Sequence, residues 1–491
     1  MKKIISLLLV IVMLSFALVG CKQDNEGDDG AGTVSTGADT GGYNGLEARD
    51  YEGKELVFLT YSQGVTVSSQ NDLWGDINGG PVERGIFERN QIIQDKYNVV
   101  INNIDITGNT ATVTEVEKYY MAQDGAIDYV LSGTMNNITS GIKGNVVSVE
   151  SIPNLQLDRD WWYTDFIDST KIEGKNFFLI GDFAYTSWMA SACLMFNQDM
   201  AETWKIDPEE IYALIRDENW TIEKFTQYTK LVYEDKGNEG TSLDDTVGFY
   251  ANSMAVDAFL AGCDIRFIQY DSNQKLSVVI EDRFYDWYTW MYNLAHDSTT
   301  CYMDASEHSF QFNRDTFEGL FVKNQALFGM AQLPSQNTEL RDVEFKYLYL
   351  PCPKYNEDQD RYYSWLHQFN SSSVAIMNCG KDLEMLGRVL EDFTFYSKDT
   401  VRTNYYDTLL DGIMASSETF VEMLDYIVGI YSIDLMSVLA NQISWLSGST
   451  GLLRQTVNQF GNTGVSSLIK RNGTKWQGIV DDIVEQVKKL S

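Results

Sequence analysis

From residue 50 onward, apolar positions recur at two spacings along the chain. Residues 55–61 (ELVFLTY) are a short β-rich apolar run and predict a strand. Pro81 opens a stretch in which Val82, Ile86, Ile93 and Tyr97 fall on one face, with Glu, Arg and Asn opposite, the pattern of an amphipathic helix. Residues 98–106 predict a second strand and 113–123 a second helix. Residues 127–131 (IDYVL) predict a buried strand that ends in Ser132-Gly133. Strand, helix, strand, helix, strand is the order of a parallel α/β sheet.

The middle of the chain continues in the same manner. Residues 174–180 (GKNFFLI) and 192–196 (ACLMF) predict strands, separated by a loop at 182–188 that is rich in aromatic and hydroxyl side chains. Thr221 is placed to cap a helix carrying Ile222, Phe225, Thr229 and Val232 on one face. Residues 235–246 read as a polar loop, and 283–296 as a helix with Trp287, Met291 and Leu294 at core spacing. Residues 321–333 and 345–350 read as strand or helix–strand elements before the Pro351–Pro353 turn. No proline follows, which permits a helical tail. In that tail Leu383, Leu386, Leu390 and Phe393 form one face, and Phe420, Leu424, Ile427 and Tyr431 another.

The first twenty residues have a different character. Lys2 and Lys3 precede an apolar run over 4–19 that is short for a membrane span, so it reads as a secretory signal peptide over 1–20. The run ends in Leu18-Val19-Gly20-Cys21, which looks like a bacterial lipobox. Cys21 is then the thiol that receives a diacylglyceryl group, and two acyl chains hold a protein stably on a membrane. Residues 21–49 carry almost no large apolar side chain and read as the lipidated cysteine plus a flexible tether. The expected location is the extracellular face of the cell membrane, with the lipid as the only membrane contact.

Composition narrows the partners. Among 491 residues, 70 are acidic and 37 basic, a formal charge of −33 that repels nucleic-acid backbones. Five cysteines beyond Cys21 (Cys193, Cys263, Cys301, Cys352 and Cys379) are scattered with no Cys-x-x-Cys pair. They read as buried thiols, with one bridge such as Cys263 to Cys301 left open. Three scattered histidines give no zinc pattern, and 356–360 lacks the spacing of an EF-hand. No metal or cofactor is expected.

An ordered series of short motifs over residues 50–440 resembles the extracellular solute-binding proteins of family 1, the lipid-anchored capture components of ABC importers. These motifs are Glu173-Gly174-Lys175, Phe196-Asn197-Gln198-Asp199-Met200, Asn219-Trp220-Thr221, Phe321-Val322-Lys323-Asn324-Gln325-Ala326-Leu327-Phe328 and Tyr349-Leu350-Pro351-Cys352-Pro353-Lys354. A returning strand at 371–377 completes the series. Gln198 stands where lysine is usual, and Asn324-Gln325 replaces a glycine-bearing turn. The resemblance implies an α/β fold of the type II periplasmic-binding-protein kind, two lobes with a hinge and an interlobe cleft. It implies lobe 1 from 50–182 with 318–370, and lobe 2 from 183–317 with 371–491. The implied partners are a sugar or oligosaccharide and ABC permease subunits in the membrane, the protein itself being a monomer.

A sugar presents flat C–H faces and a rim of hydroxyls, so its site needs aromatic plates and hydrogen-bonding side chains in loops at strand ends. The chain holds 11 Trp, 28 Tyr and 24 Phe. Tyr61 and Trp74 flank the loop after the first strand. Asp182, Tyr185 and Trp188 occupy the segment expected to pass between lobes, where hinge packing is the alternative role and Asp182 equally suits a turn cap. Tyr250 follows a probable strand, Trp365 follows the proline turn, and Ser132 ends IDYVL. Trp161 and Trp162, with Trp287 and Trp290, read as structural.

Three classes of function remain: a non-enzymatic binder of sugars, a binder of a peptide or other polar solute, and an exported glycoside hydrolase with paired carboxylates. No Gly-x-Ser-x-Gly elbow, His-Glu-x-x-His helix or P-loop is visible. A non-enzyme working by hinge closure fits the pattern best.

Overall fold

Three parallel strands begin the fold: β1 (Lys54–Ser62), β2 (Val99–Thr107) and β3 (Tyr129–Gly133). β1 pairs with β2 from Lys54↔Val99 to Ser62↔Thr107, and with β3 through Phe58↔Tyr129. The computed structural model describes residues 43–62, 68–237, 244–297, 299–304, 319–333, 340, 343–410, 417–444, 451–459 and 464–490. The leader, Cys21 and nearly all of the tether lie outside the described residues, as does 63–67 in the loop after β1. Asn44–Ser491 forms one compact unit.

The first crossover helix, Pro81–Tyr97, starts where expected. Pro81 supplies its first turn, and the Glu83 carboxylate accepts from Gly80 N at 2.9 Å. Val82, Ile86, Ile93 and Tyr97 are all buried, the face the periodicity marks. Asn98 ends the helix in the left-handed region at φ 46°.

Residues 174–180 are not a strand. Glu173 (φ 51°) and Gly174 (φ 75°) form a tight turn there. The Asn176 side chain then accepts from Phe177 N and Phe178 N at 2.7 and 3.1 Å, local bonds that displace a ladder. Only isolated bridges remain, Ile172↔Lys175 and Leu179↔Val374.

The chain then builds a second sheet from β4 (Ala192–Asn197), β5 (Tyr233–Glu234) and β6 (Thr246–Asn252). A small ribbon of β7 (Ile268–Tyr270) and β8 (Leu276–Val278) comes next, and β9 (Cys301–Asp304), β10 (Ala326–Gln332) and β11 (Tyr347–Leu350) complete the sheet. Its order is β11-β4-β10-β6-β5, with β9 pairing β6. Phe328 of β10 lies opposite Phe196 of β4 and Phe249 of β6, its ring stacked on Phe196 at 5.3 Å. Only then does β12 (Ser372–Ile376) return to the first sheet, antiparallel to β3 through Ser373↔Ser132 and Ile376↔Tyr129.

This pairing reverses the expected division of the second half. The strands β10 and β11 belong to the sheet of β4 and β6, not with 50–182, and β12 belongs to the first sheet, not with 183–317. The helix Leu383–Ser397 also packs on Pro81–Tyr97 of the first lobe. A fully buried apolar strand fits the interior of either sheet, so hydrophobicity alone does not assign it. The helix Ser417–Asp425 packs on β11, and the final helix Val465–Lys488 touches both β8 and the first-lobe helix Thr134–Ile142. The predicted face Phe420, Leu424, Ile427 and Tyr431 is wholly buried, although the helix stops at Asp425.

All five described cysteines are free thiols, so the Cys263–Cys301 bridge is not formed. Cys263 instead adjoins the strand end that carries Cys352. A Cβ added at Gly262 would lie 2.8 Å from that of Cys352. Trp161 and Trp162 both turn inward, their indole N–H groups donating to the two oxygens of Glu391 at 3.1 and 2.9 Å. No described helix is long and apolar enough to cross a membrane.

Candidate functional site

In open α/β sheets, ligand clefts lie beyond the carboxyl ends of the strands. On the first lobe those ends carry Tyr61 and Ser132. Ser132 is fully buried, and its hydroxyl lies 2.8 Å from Asn109 Oδ1 and 3.1 Å from Thr112 Oγ1. Asn136 Nδ2 donates to Asn109 Oδ1 at 2.7 Å, closing a compact amide–hydroxyl group. The segment 367–371 lies across it: Asn109 Nδ2 donates to Phe369 O, and Thr134 Oγ1 to Gln368 O at 3.1 Å. Gly133 is required by this approach, because a Cβ there would stand 2.7 Å from Phe369 O. Gln368 Oε1 and Ser371 Oγ are buried here without a partner.

Tyr61 is also fully buried, and its hydroxyl has no partner. Burial and the nearby Asp72 carboxylate both push its pKa up. Asp72 accepts from Thr186 N at 3.0 Å and from the Thr186 hydroxyl; burial raises its pKa to about 6 against these bonds. Trp74, at the end of the short helix Gln70–Leu73, is 40% exposed.

The segment passing between the lobes forms a second group. Asp182 accepts from Tyr163 Oη at 2.9 Å and pairs with Arg402 at 3.3 Å. Burial raises its pKa, and Arg402 opposes that. Trp188 is fully buried and gives its indole N–H to Tyr163 Oη. Tyr185 and Trp188, both on the short helix Tyr185–Met189, pack on Tyr405 with ring centroids 6.3 and 5.4 Å away. The structure therefore sets Asp182 and Trp188 in a buried network of the crossing segment.

On the second lobe, Tyr250 of β6 is buried and stacks on Tyr302 at 5.9 Å. Asn252, ending β6, keeps a buried amide nitrogen without a partner. The helix Ala255–Gly262 follows, and Asp257 in its first turn forms a buried ion pair with Arg454. Burial lowers the guanidinium pKa to about 9, still above neutral pH. The Arg454 guanidinium stands 5.8 Å from the Trp365 ring centre. Trp365 and Asp257 line a cavity of about 20 Å³ together with Asp434.

Tyr61, Asp182, Tyr185 and Trp188 thus gather around Asp72 and Tyr163, Ser132 sits beside them at the end of β3, and Trp365 and Tyr250 belong to the second lobe. Sequence reading missed Asp72, Asn109, Asn136, Gln368 and the Asp257–Arg454 pair. Only Asp257 left a signal, a lone acid inside the apolar run AVDAFLAG. Among the described residues no group of three or more His, Cys, Asp or Glu is placed to hold a metal ion.

No protein-family model and no curated relative matches the chain. Solved structures do resemble it in fold. The GacH receptor of Streptomyces glaucescens, solved unliganded and with acarbose, matches with a TM-score of 0.51 at 11% identity, covering 88% of this chain and 99% of its own. UgpB from Mycobacterium tuberculosis, in complex with glycerophosphocholine, matches at 0.52 and 11% identity, covering 88% and 98%. An ABC transporter solute-binding protein from Thermotoga lettingae, bound with α-D-tagatose, matches at 0.51 and 11%, covering 87% and 100%. The fold is that of the two-lobe solute-binding proteins of ABC transporters.

Proposed function

We propose that this protein captures a sugar or oligosaccharide outside the cell and delivers it to an ABC permease. On this reading it is held at the membrane by lipid on Cys21 and acts as a monomer without chemistry of its own. The observation that carries the reading is the set of buried polar and aromatic side chains at the ends of β1, β3 and β6, joined by chain segments that cross between two lobes. Hinge closure works by selection: the lobes exchange between open and closed forms, and a ligand touching both favours the closed one. Trp74 and Trp365 are assigned ring faces for the solute, and Ser132, Tyr61 and Tyr250 the surrounding wall. Asp182, Tyr185 and Trp188 hold the pivot. The fold neighbours bind acarbose, tagatose and glycerophosphocholine, so polyhydroxylated solutes are the first class to test.

Thermal-shift screening against neutral mono- to trisaccharides and polyols tests this. A raised melting temperature, with the sugar recovered intact by chromatography, is the expected result. Release of a shorter sugar would establish a hydrolase instead. Cys21→Ala should move the protein from the membrane fraction into the medium.

A further inference from the structure

The cavity of about 20 Å³ beside Trp365 has room for one water-sized group. Asp257 and Asp434 supply its carboxylates, Ser432 and Ser437 its hydroxyls, and Trp365 and Leu260 part of its apolar wall. Asp257 is 4% exposed, and its two oxygens are unlike. Oδ2 takes both contacts from Arg454, whereas Oδ1 is buried without a partner. A buried carboxylate oxygen left unpaired is costly, so this one calls for a donor that the protein does not provide. Asp434 cannot supply it: its carboxylate already accepts from Phe267 N, Ile268 N and Met436 N at 2.9, 3.1 and 3.1 Å. The Ser432 hydroxyl is also committed, donating to Asp264 at 2.7 Å.

Charge excludes one class of occupant. Asp257 is matched by Arg454, and Asp264 by Arg266 at 2.8 Å. Asp434 is left as the excess charge, so the cavity repels anions. The Arg454 guanidinium against Trp365 disfavours a second cation there as well. A neutral donor remains.

We propose that this cavity is a specificity subsite that takes a single hydroxyl group of an uncharged polyhydroxylated ligand onto Asp257 Oδ1 and rejects phosphorylated or carboxylated counterparts. The inference deepens the solute-capture reading and rests on it. Capture of the ligand by the rest of the cleft brings the hydroxyl in, and the unpaired carboxylate oxygen discriminates, because an ether or phosphate at the same point leaves it unsatisfied.

The test is titration calorimetry on the full mature protein. Neutral mono- to trisaccharides and polyols are compared with sugar phosphates, uronic acids and glycerol 3-phosphate. A neutral ligand should bind, with its phosphorylated counterpart at least ~10-fold weaker, the scale of one unpaired buried polar group. Asp257→Asn puts an amide beside Arg454 and should weaken the neutral ligand by a similar factor. Ser437→Val narrows the cavity without touching the ion pair; it should do the same and keeps the test open if Asp257→Asn fails to fold. Preferred binding of an anionic solute, or unchanged affinity in Ser437→Val, would overturn the subsite and leave solute capture standing. Silence across both panels would count against solute capture itself.

Discussion

The guanidinium of Arg89 lies over the ring of Phe393, 3.8 Å from its centre, and joins two parts of the first lobe that are 304 residues apart in sequence. The same group donates to Phe183 O at 3.1 Å and Asp72 O at 2.8 Å, so a helix of the first lobe holds the start of the crossing segment. Burial lowers its pKa to about 9, still above neutral pH. Arg89→Ala should cost about 3–5 kcal/mol in urea unfolding, since two buried carbonyls lose their donor along with the packing. A loss under 1 kcal/mol would show that the crossing segment is held elsewhere.

Trp188 and Trp74 should behave oppositely. Trp188 is fully buried, so Trp188→Ala should lose roughly 3–5 kcal/mol and lower the melting temperature. Trp74 is 40% exposed, so Trp74→Ala should leave stability within about 0.5 kcal/mol and weaken ligand binding. Calorimetry and thermal melts on the two variants separate pivot from ligand wall.

Gly133→Ala should destabilise by about 1–3 kcal/mol, because its Cβ would meet Phe369 O at 2.7 Å and Gln368 O at 3.0 Å, both backbone atoms. The affected contact joins β3 to the crossing segment, so ligand affinity should fall with stability.

Burial shifts two groups in opposite directions. His367 accepts at Nδ1 from Phe369 N and Asn370 N, and burial lowers its pKa to about 4. Its contribution is complete above pH 6.5 and is lost as pH falls through 4. Asp72 is raised to about 6, so its contribution is complete below pH 3.8 and is lost as pH rises through 6. Relative to wild type, His367→Gln should therefore gain stability between pH 6.5 and 4, whereas Asp72→Asn should gain it between pH 4 and 6.5. Each change should be about 2–3 kcal/mol, read from melts of the variants against wild type. Parallel trends would contradict the assigned protonation states.

Local signals were the most legible. Pro81 with its apolar stripe, IDYVL with the small residues after it, and Thr221 as a cap all correspond to observed elements; the Thr221 side chain accepts from Lys224 N at 3.3 Å. The lobe to which β10 and β12 belong was not legible, since both are apolar segments that any sheet interior accepts. The same limit applies to the site. An aromatic residue in a loop marks itself, whereas Asn109, Asn136 and Gln368 look like ordinary polar positions until β3 and the 367–371 segment are brought together. Asp72 sits among Asn71, Trp74 and Asp76 with nothing in its surroundings to show that it alone turns inward.

The late return of β12 to the first sheet governs the order in which the molecule can be assembled. β3 gains its antiparallel neighbour only after some 240 further residues have been made, including every strand of the second sheet. At about 5–20 residues per second, that leaves the edge of β3 uncovered for roughly 10–50 s of synthesis. The second half-molecule can mature while the first waits, and a chain cut short before residue 372 would present an open strand to its neighbours.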